Sequence, residues 1–282
     1  MLRILTGFLC TCVLGMAQVD YFTPGNVNKF AEHLIEMGEY QAAATEYQRL
    51  SYLIGESPVS DSLLSKIAYC YQLDQKYEVA IKYYNRLLQY HPQSVLCGQT
   101  IHSIARIYRF EKQYEKSNNF IFSHRTDIKC DSLEKRIDLL AGMNYLNLFQ
   151  WDNARKLFDR YTAEKDEETA RLLYIAREGS RLPYKSATIA GILSTLIPGS
   201  GRFYLGRKMD GLYSFLLISL LGFQTYRSFD EQGISSVKGW LYGSVTAVLY
   251  GGNIYGTVVA AKIYNNKLKT DHVSKIEINL LW

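Results

Sequence analysis

Residues able to do chemistry are spread thinly along this chain, and none falls into a catalytic spacing. Gly201 and Gly206 precede Arg207 and Lys208 with the glycine spacing of a phosphate-cradling loop. Such a loop needs a lysine to reach the phosphates and then a hydroxyl to hold magnesium. Arginine and lysine stand in those places, which excludes the chemistry. Gly199 and Gly201 lack the third glycine and the βαβ frame of a dinucleotide site. His33, His91, His102, His124 and His272 form no His-Glu-x-x-His pair, and no serine occupies a Gly-x-Ser-x-Gly elbow. Beyond the leader, Cys70, Cys97 and Cys130 have no Cys-x-x-Cys spacing, which argues against a metal site. No catalytic residue, metal or cofactor is expected, and the chain reads as a non-enzyme.

The elements that would carry any binding residues divide the 282 positions by character. The formal charge of +5 lies wholly in the last third: residues 184–282 hold ten Lys/Arg against five Asp/Glu, and the preceding residues hold 22 of each. A basic nucleic-acid face on the larger part is therefore not expected. Residues 1–17 combine one arginine, an apolar core from Ile4 to Leu14 and the small residues Gly15 and Ala17, the pattern of a cleaved signal peptide. Cys70 falls on a helical pattern and reads as core. A Cys97–Cys130 disulfide and two separate thiols both remain open in an exported domain.

Between Asn26 and Lys165 the chain repeats itself every 37 residues. Tyr40, Tyr77, Tyr114 and Trp151 share that register, as do Ala43, Ala80, Ser117 and Ala154. So do Ala31, Ala68, Ala105 and Gly142, then Leu34, Tyr71, Tyr108 and Tyr145, then Tyr47, Tyr84, Ile121 and Phe158. Apolar positions at helical spacing on either side of a polar break predict two helices per unit. Small columns let paired helices approach, and aromatic columns fill the space between units. A helix from Glu167 to Arg177 is expected to cap the stack. The third unit, with Ser117 and Ile121 in its columns, reads as degenerate.

These offsets resemble the tetratricopeptide repeat, in units slightly longer than the usual 34 residues. The resemblance implies an all-α solenoid over residues 18–182, with a groove lined by the first helix of each unit and open to peptides or protein surfaces. Its candidate groove residues are Glu32, Glu36, Tyr69, Gln72, His102, Arg106, Arg109, Met143 and Asn147.

Three apolar runs follow, at residues 187–197, 211–226 and 239–261. They predict a small helical membrane domain of two to three hydrophobic helices over residues 183–266, with residues 267–282 as a tail. Three crossings would place Arg202, Arg207 and Lys208 with Lys262, Lys267 and Lys269 on the cytoplasmic face, opposite the repeats. Gly239 and Gly243, like Gly252 and Gly256, are spaced for close helix packing, and Asn253 is expected to bond a neighbouring helix. Alternation of Ile276, Ile278, Leu280 and Trp282 predicts a docked strand.

The stretch Pro198-Gly199-x-Gly201-Arg202-Phe203-Tyr204-Leu205-Gly206 resembles bacterial membrane domains in which a Pro-Gly-x-Gly-x-x-Tyr-x-Gly turn joins short hydrophobic helices. It is also similar to the two-helix TM2 domain, except that Gly201 stands where an acidic residue is usual. Taken together, the expectation is a scaffold at the bacterial inner membrane, with periplasmic repeats that bind other proteins and a bilayer-embedded domain. The alternative expectation is a transport or lipid-handling component whose membrane domain is the active part.

Overall fold

The computed structural model describes residues 22–55, 59–127, 131–164 and 166–277. The leader at residues 1–17 and Cys130 lie outside them. Two compact units divide the chain, Met1–Ile137 and Asp138–Trp282, and the boundary falls within a helix.

One backbone feature recurs with the 37-residue register. Gly38, Gln75, Lys112 and Phe149 all have φ between 58° and 80°. Each ends the first helix of a repeat with the same pair of bonds. In the second repeat, Lys76 N–H donates to Tyr71 O and Gln75 N–H to Gln72 O, and the other three repeats match. This left-handed cap satisfies carbonyls that the helix end would otherwise orphan. Only the first repeat supplies the glycine that occupies this conformation without a side-chain penalty.

In the first unit the resulting pairs are α1 (Pro24–Glu36) with α2 (Tyr40–Ile54), α3 (Asp61–Leu73) with α4 (Tyr77–Tyr90), and α5 (Cys97–Phe110) with α6 (Tyr114–Ser123), followed by the start of α7 (Asp131–Asn147). Ala31, Ala43, Ala68, Ala80 and Ala105 are fully buried where the paired helices meet. Tyr47, Tyr84 and Ile121 fill the column between units and are also buried. Ser117 fits the alanine column of the third unit because its hydroxyl donates to Ala105 O at 2.8 Å. That repeat is intact, and a satisfied hydroxyl costs an interior little.

The second unit contains the rest of α7, α8 (Trp151–Phe158), α9 (Glu167–Ser180), α10 (Ala187–Leu196), α11 (Ser200–Tyr204), α12 (Lys208–Gln232) and α13 (Val237–Glu277). A Cβ at Gly142 would stand 2.3 Å from Phe158 Cε1, so the position of this ring requires glycine opposite it. Helix α13 runs for 41 residues, and its far end returns to the last repeat. Val273 is buried there with Trp151, Phe158, Leu172 and Ile175. His272 bonds Ile175 O at 2.9 Å and stands edge-on to Trp151. The expected strand is thus overturned through Glu277, where the chain is still helical; residues 278–282 lie outside the described residues.

Among the described residues no helix is long and apolar enough to cross a membrane. The first apolar run gives α10, only ten residues, because Ile197 precedes Pro198 and takes the extended conformation (φ −135°, ψ 118°). The other two runs lie within α12 and α13, diluted by Ser, Thr, Gly, Gln and Tyr.

Candidate functional site

Two surfaces could engage a ligand, one in each unit. In the first unit, α3 and α5 present Tyr69, Gln72, His102 and Arg106. Gln72 Oε1 accepts from Tyr84 Oη at 2.9 Å, and burial pushes that phenol up to about 12. His102 is lowered to about 4, chiefly by burial and then by the positive charges of Arg136 and Arg106, so it is neutral at pH 7. Arg106 and Arg136 are both exposed. The two guanidinium groups thus flank a neutral imidazole, and Tyr69 is exposed on α3 in the preceding repeat.

The other groove candidates are already engaged. Glu32 accepts from Lys66 Nζ at 3.2 Å and from Asn28 Nδ2 at 3.0 Å, bonds that hold its carboxyl below the usual range and tie α1 to α3. Glu36 lies 3.8 Å from His33 on the exposed end of α1. The Arg109 guanidinium stands over the Tyr114 ring. In the second unit Met143 packs against the core, and Asn147 donates back to Met143 O at 3.0 Å.

The second surface is built by the glycine-rich turn after α10. Gly199 adopts φ +85°, and a Cβ there would lie 2.1 Å from Gly211 O. Glycine is therefore required twice over, by conformation and by the close approach of α12. A Cβ at Gly201 would lie 2.1 Å from Ala190 O and 2.5 Å from Ser194 Oγ, which lets α11 fold back along α10. Phe203 covers Gly211, and Tyr204 Oη accepts from Ser186 N–H at 3.1 Å, beside the start of α10. Gly206, at φ +80°, turns the chain into α12. The segment between Pro198 and Gly206 is thus a return that folds α11 back along α10.

Helices α12 and α13 form an antiparallel hairpin. A Cβ at Gly239 would meet the Phe229 ring at 2.7 Å, and one at Gly243 would meet Thr225 at 3.2 Å. Nothing lies within 4 Å of a Cβ at Gly252, and Gly256 faces the Arg202 guanidinium rather than another helix backbone. Asn253 is 4% exposed, yet neither its Oδ1 nor its Nδ2 has a hydrogen-bond partner. The interhelical bond expected of it does not form. One turn on, Ser194 Oγ donates to Thr257 Oγ1 at 3.1 Å, and Thr257 Oγ1 donates to Asn253 O at 2.7 Å.

Outward from this hairpin point Leu212, Phe215, Leu216, Leu220 and Phe223 on α12 and Leu241, Val245 and Val248 on α13, all exposed. Hydroxyls on the same helices are turned back onto their own carbonyls: Ser214 to Asp210 O, Thr225 to Leu221 O and Thr246 to Tyr242 O. These hydroxyls therefore need no partner outside their own helix.

Sequence reasoning missed one aromatic enclosure. Phe149, Trp151, Tyr184, Asn265 and Lys269 line a hollow in which the Lys269 ammonium lies 5.3 Å from the Phe149 ring and 5.5 Å from the Tyr184 ring. Residues so far apart in the chain carried no common signal. Among the described residues no group of three or more His, Cys, Asp and Glu comes together.

Comparison with known proteins places these features. The tetratricopeptide repeat family matches residues 63–94, the second helix pair. A crystal structure of a tetratricopeptide repeat protein from Parabacteroides merdae is similar at 13% identity and a TM-score of 0.47, covering 89% of this chain and 97% of that one. No curated protein matches the sequence. The chain carries tetratricopeptide-like repeats in an all-α fold.

Proposed function

We propose that the protein is a scaffold without catalytic activity of its own, held in the bacterial inner membrane, whose repeats face the periplasm and bind another protein. Tetratricopeptide-like repeats generally mediate protein–protein contacts, and the exposed Tyr69, Arg106 and Arg136 offer an aromatic and cationic footing for a partner. Membrane attachment rests on one observation: the outward face of the α12–α13 hairpin is apolar while its hydroxyls are satisfied within each helix. On this reading the two helices enter the bilayer together, each shielding the polar seam of the other.

The test uses the full chain, because α13 completes the core of the last repeat. Membranes carrying the protein are washed with alkaline carbonate, and the detergent-solubilised chain is then used to capture partners from envelope extract. Retention through the wash, and saturable capture lost in the variant Tyr69→Ala/Arg106→Glu, is the expected result. Release by carbonate would remove the membrane reading, and capture indifferent to that variant would remove the groove. Reporter fusions at Lys165 and Glu231 test the compartment: periplasmic signal at Lys165 is expected, and cytoplasmic signal there would reverse the orientation.

A second reading, in which the membrane unit is the active part, is favoured by the unpartnered amide of Asn253 inside the bundle. Full function in Asn253→Leu would discard it.

A further inference from the structure

The basic residues around the bundle are gathered at one end of it. Lys185 N–H donates to Asn265 Oδ1 at 2.9 Å, and Asn265 Nδ2 donates to Lys185 O at 2.8 Å, which fixes the start of α10 beside the far part of α13. The return brings Tyr204 to the same level, where its ring lies 4.7 Å from Lys185 Nζ. Leu205 packs with Ala187, Ala190, Ala260 and Ala261. Arg207 and Lys208 follow directly. The antiparallel register of Gly239 with Phe229 and Gly243 with Thr225, extended along the hairpin, sets Lys208 level with Ala260. Lys262 and Lys267 continue from there.

Six cations, Lys185, Arg202, Arg207, Lys208, Lys262 and Lys267, therefore rim one end of an apolar bundle. On α10 to α13 the acidic groups at that end are Asp210, which pairs with Arg207 at 2.6 Å, and Asp271 farther along α13. Arg202 makes no ion pair with any described residue, and its guanidinium lies against the bare backbone at Gly256. At the opposite end Arg227 pairs with Glu231 at 2.7 Å, and Lys238 is balanced by Asp230, so no excess charge remains. The uncharged part of α12, from Gly211 to Tyr226, is about 24 Å long and that of α13, from Gly239 to Ala261, about 35 Å, on either side of the roughly 30 Å of a bilayer's hydrocarbon layer.

We propose that this rim is a binding collar for anionic phospholipid headgroups, on the side of the membrane that also holds the last repeat and so, on the reading above, in the periplasmic leaflet, which reverses the expectation that these cations lie opposite the repeats. The inference rests on the membrane reading above. It adds which leaflet is recognised, by what chemistry, and that α12 and α13 traverse only as a pair, neither being apolar enough by itself, while α10 and α11 enter and return from the collar side. Apolar flanks take the acyl chains, and unpaired guanidinium and ammonium groups at headgroup depth take the phosphate. Anionic lipid is preferred over zwitterionic lipid because several cations act on the same negative surface, and that preference is screened by salt.

The experiment uses the full chain purified in mild detergent, titrated with phosphatidylglycerol or phosphatidylcholine, with retained lipids counted by native mass spectrometry. Phosphatidylglycerol should be retained more than about tenfold over phosphatidylcholine at low salt. The preference should collapse in Arg202→Gln/Lys208→Gln/Lys262→Gln/Lys267→Gln, return in the charge-keeping Arg202→Lys/Lys208→Arg/Lys262→Arg/Lys267→Arg, and survive Arg227→Gln/Lys238→Gln. Equal retention of the two lipids by the native chain overturns the collar, as does a preference lost equally from the far-end variant. A chain that resists carbonate but shows no lipid preference loses only the collar; one released by carbonate loses both. Lys185→Cys and Lys208→Cys should react with a membrane-impermeant maleimide from the same side of sealed vesicles, and Ile234→Cys from the other. Opposite-side labelling of 185 and 208 overturns the return.

Discussion

Substituting alanine for three glycines of the second unit should produce effects that differ in sign. Gly201→Ala drives a methyl to 2.1 Å from Ala190 O, with Ser194 Oγ and Thr257 Cγ2 at 2.5 and 2.6 Å. Backbone cannot rotate away as a side chain can, so α11 must lift from α10 by about 1 Å, and the loss should be about 3 kcal/mol. Gly206→Ala meets nothing within 4 Å but must hold φ +80°, which costs about 1 kcal/mol. Gly252→Ala also meets nothing and sits inside a helix, so it should stabilise by about 0.5–1 kcal/mol through helix propensity. Thermal unfolding of the full chain in detergent reads the series, at roughly 2–4 °C per kcal/mol for a unit of this size. If Gly252→Ala unfolds as early as Gly201→Ala, the Gly252 face is packed against another helix and the account of an open face is wrong. A silent Gly201→Ala would refute the return of α11 along α10.

Gln75→Gly and Lys112→Gly should each raise stability by about 0.5–1 kcal/mol, because both residues hold positive φ at a helix cap; chemical denaturation would measure it, and destabilisation would disprove the strain. His102 has a folded pKa near 4 against an ordinary 6.5. The unfolded state therefore binds the extra proton, so stability is full above pH 6.5 and is lost as pH falls toward 4, on the order of 3 kcal/mol in all. Histidine NMR titration together with unfolding of His102→Gln, which should flatten that slope, checks it. Cys70 is fully buried with its thiol pushed up to about 11, so alkylation at pH 8 should require unfolding; rapid native labelling would contradict the packing. Val273→Asp places a charge in the core formed with Trp151 and Phe158, and should free the end of α13 at a cost of 3 kcal/mol or more, on the order given for unpaired buried charges. Hydrogen exchange should then rise in α9 and in α13 beyond Asn265.

The repeats were legible because their information is local and periodic. A column of alanine or tyrosine recurring every 37 residues states which faces meet, and Ala43, Ala80 and Ala154 are all buried as that register requires. The capping helix was readable for the same reason, from apolar spacing after Asp166, whose side chain caps α9. The left-handed column was hidden, because Gln, Lys and Phe do not advertise positive φ as glycine does. The third repeat was undervalued because residue type alone cannot show that the Ser117 hydroxyl finds a carbonyl across the helix pair.

By itself, then, the sequence determined the helical periodicity, the repeat register, the break at Pro198 and the lack of any catalytic spacing, since each follows from neighbours within a few turns. Only the tertiary structure decided that α11 folds back along α10, that Gly199 and Gly201 are tight while Gly252 is open, and that the end of α13 is a helix completing the last repeat. Those outcomes depend on partners such as Gly211, Ala190 and Trp151, many residues distant, whose approach no local pattern encodes. The same holds for Lys185, which joins the two charge clusters because the Asn265 side chain bonds the start of α10 from eighty residues away.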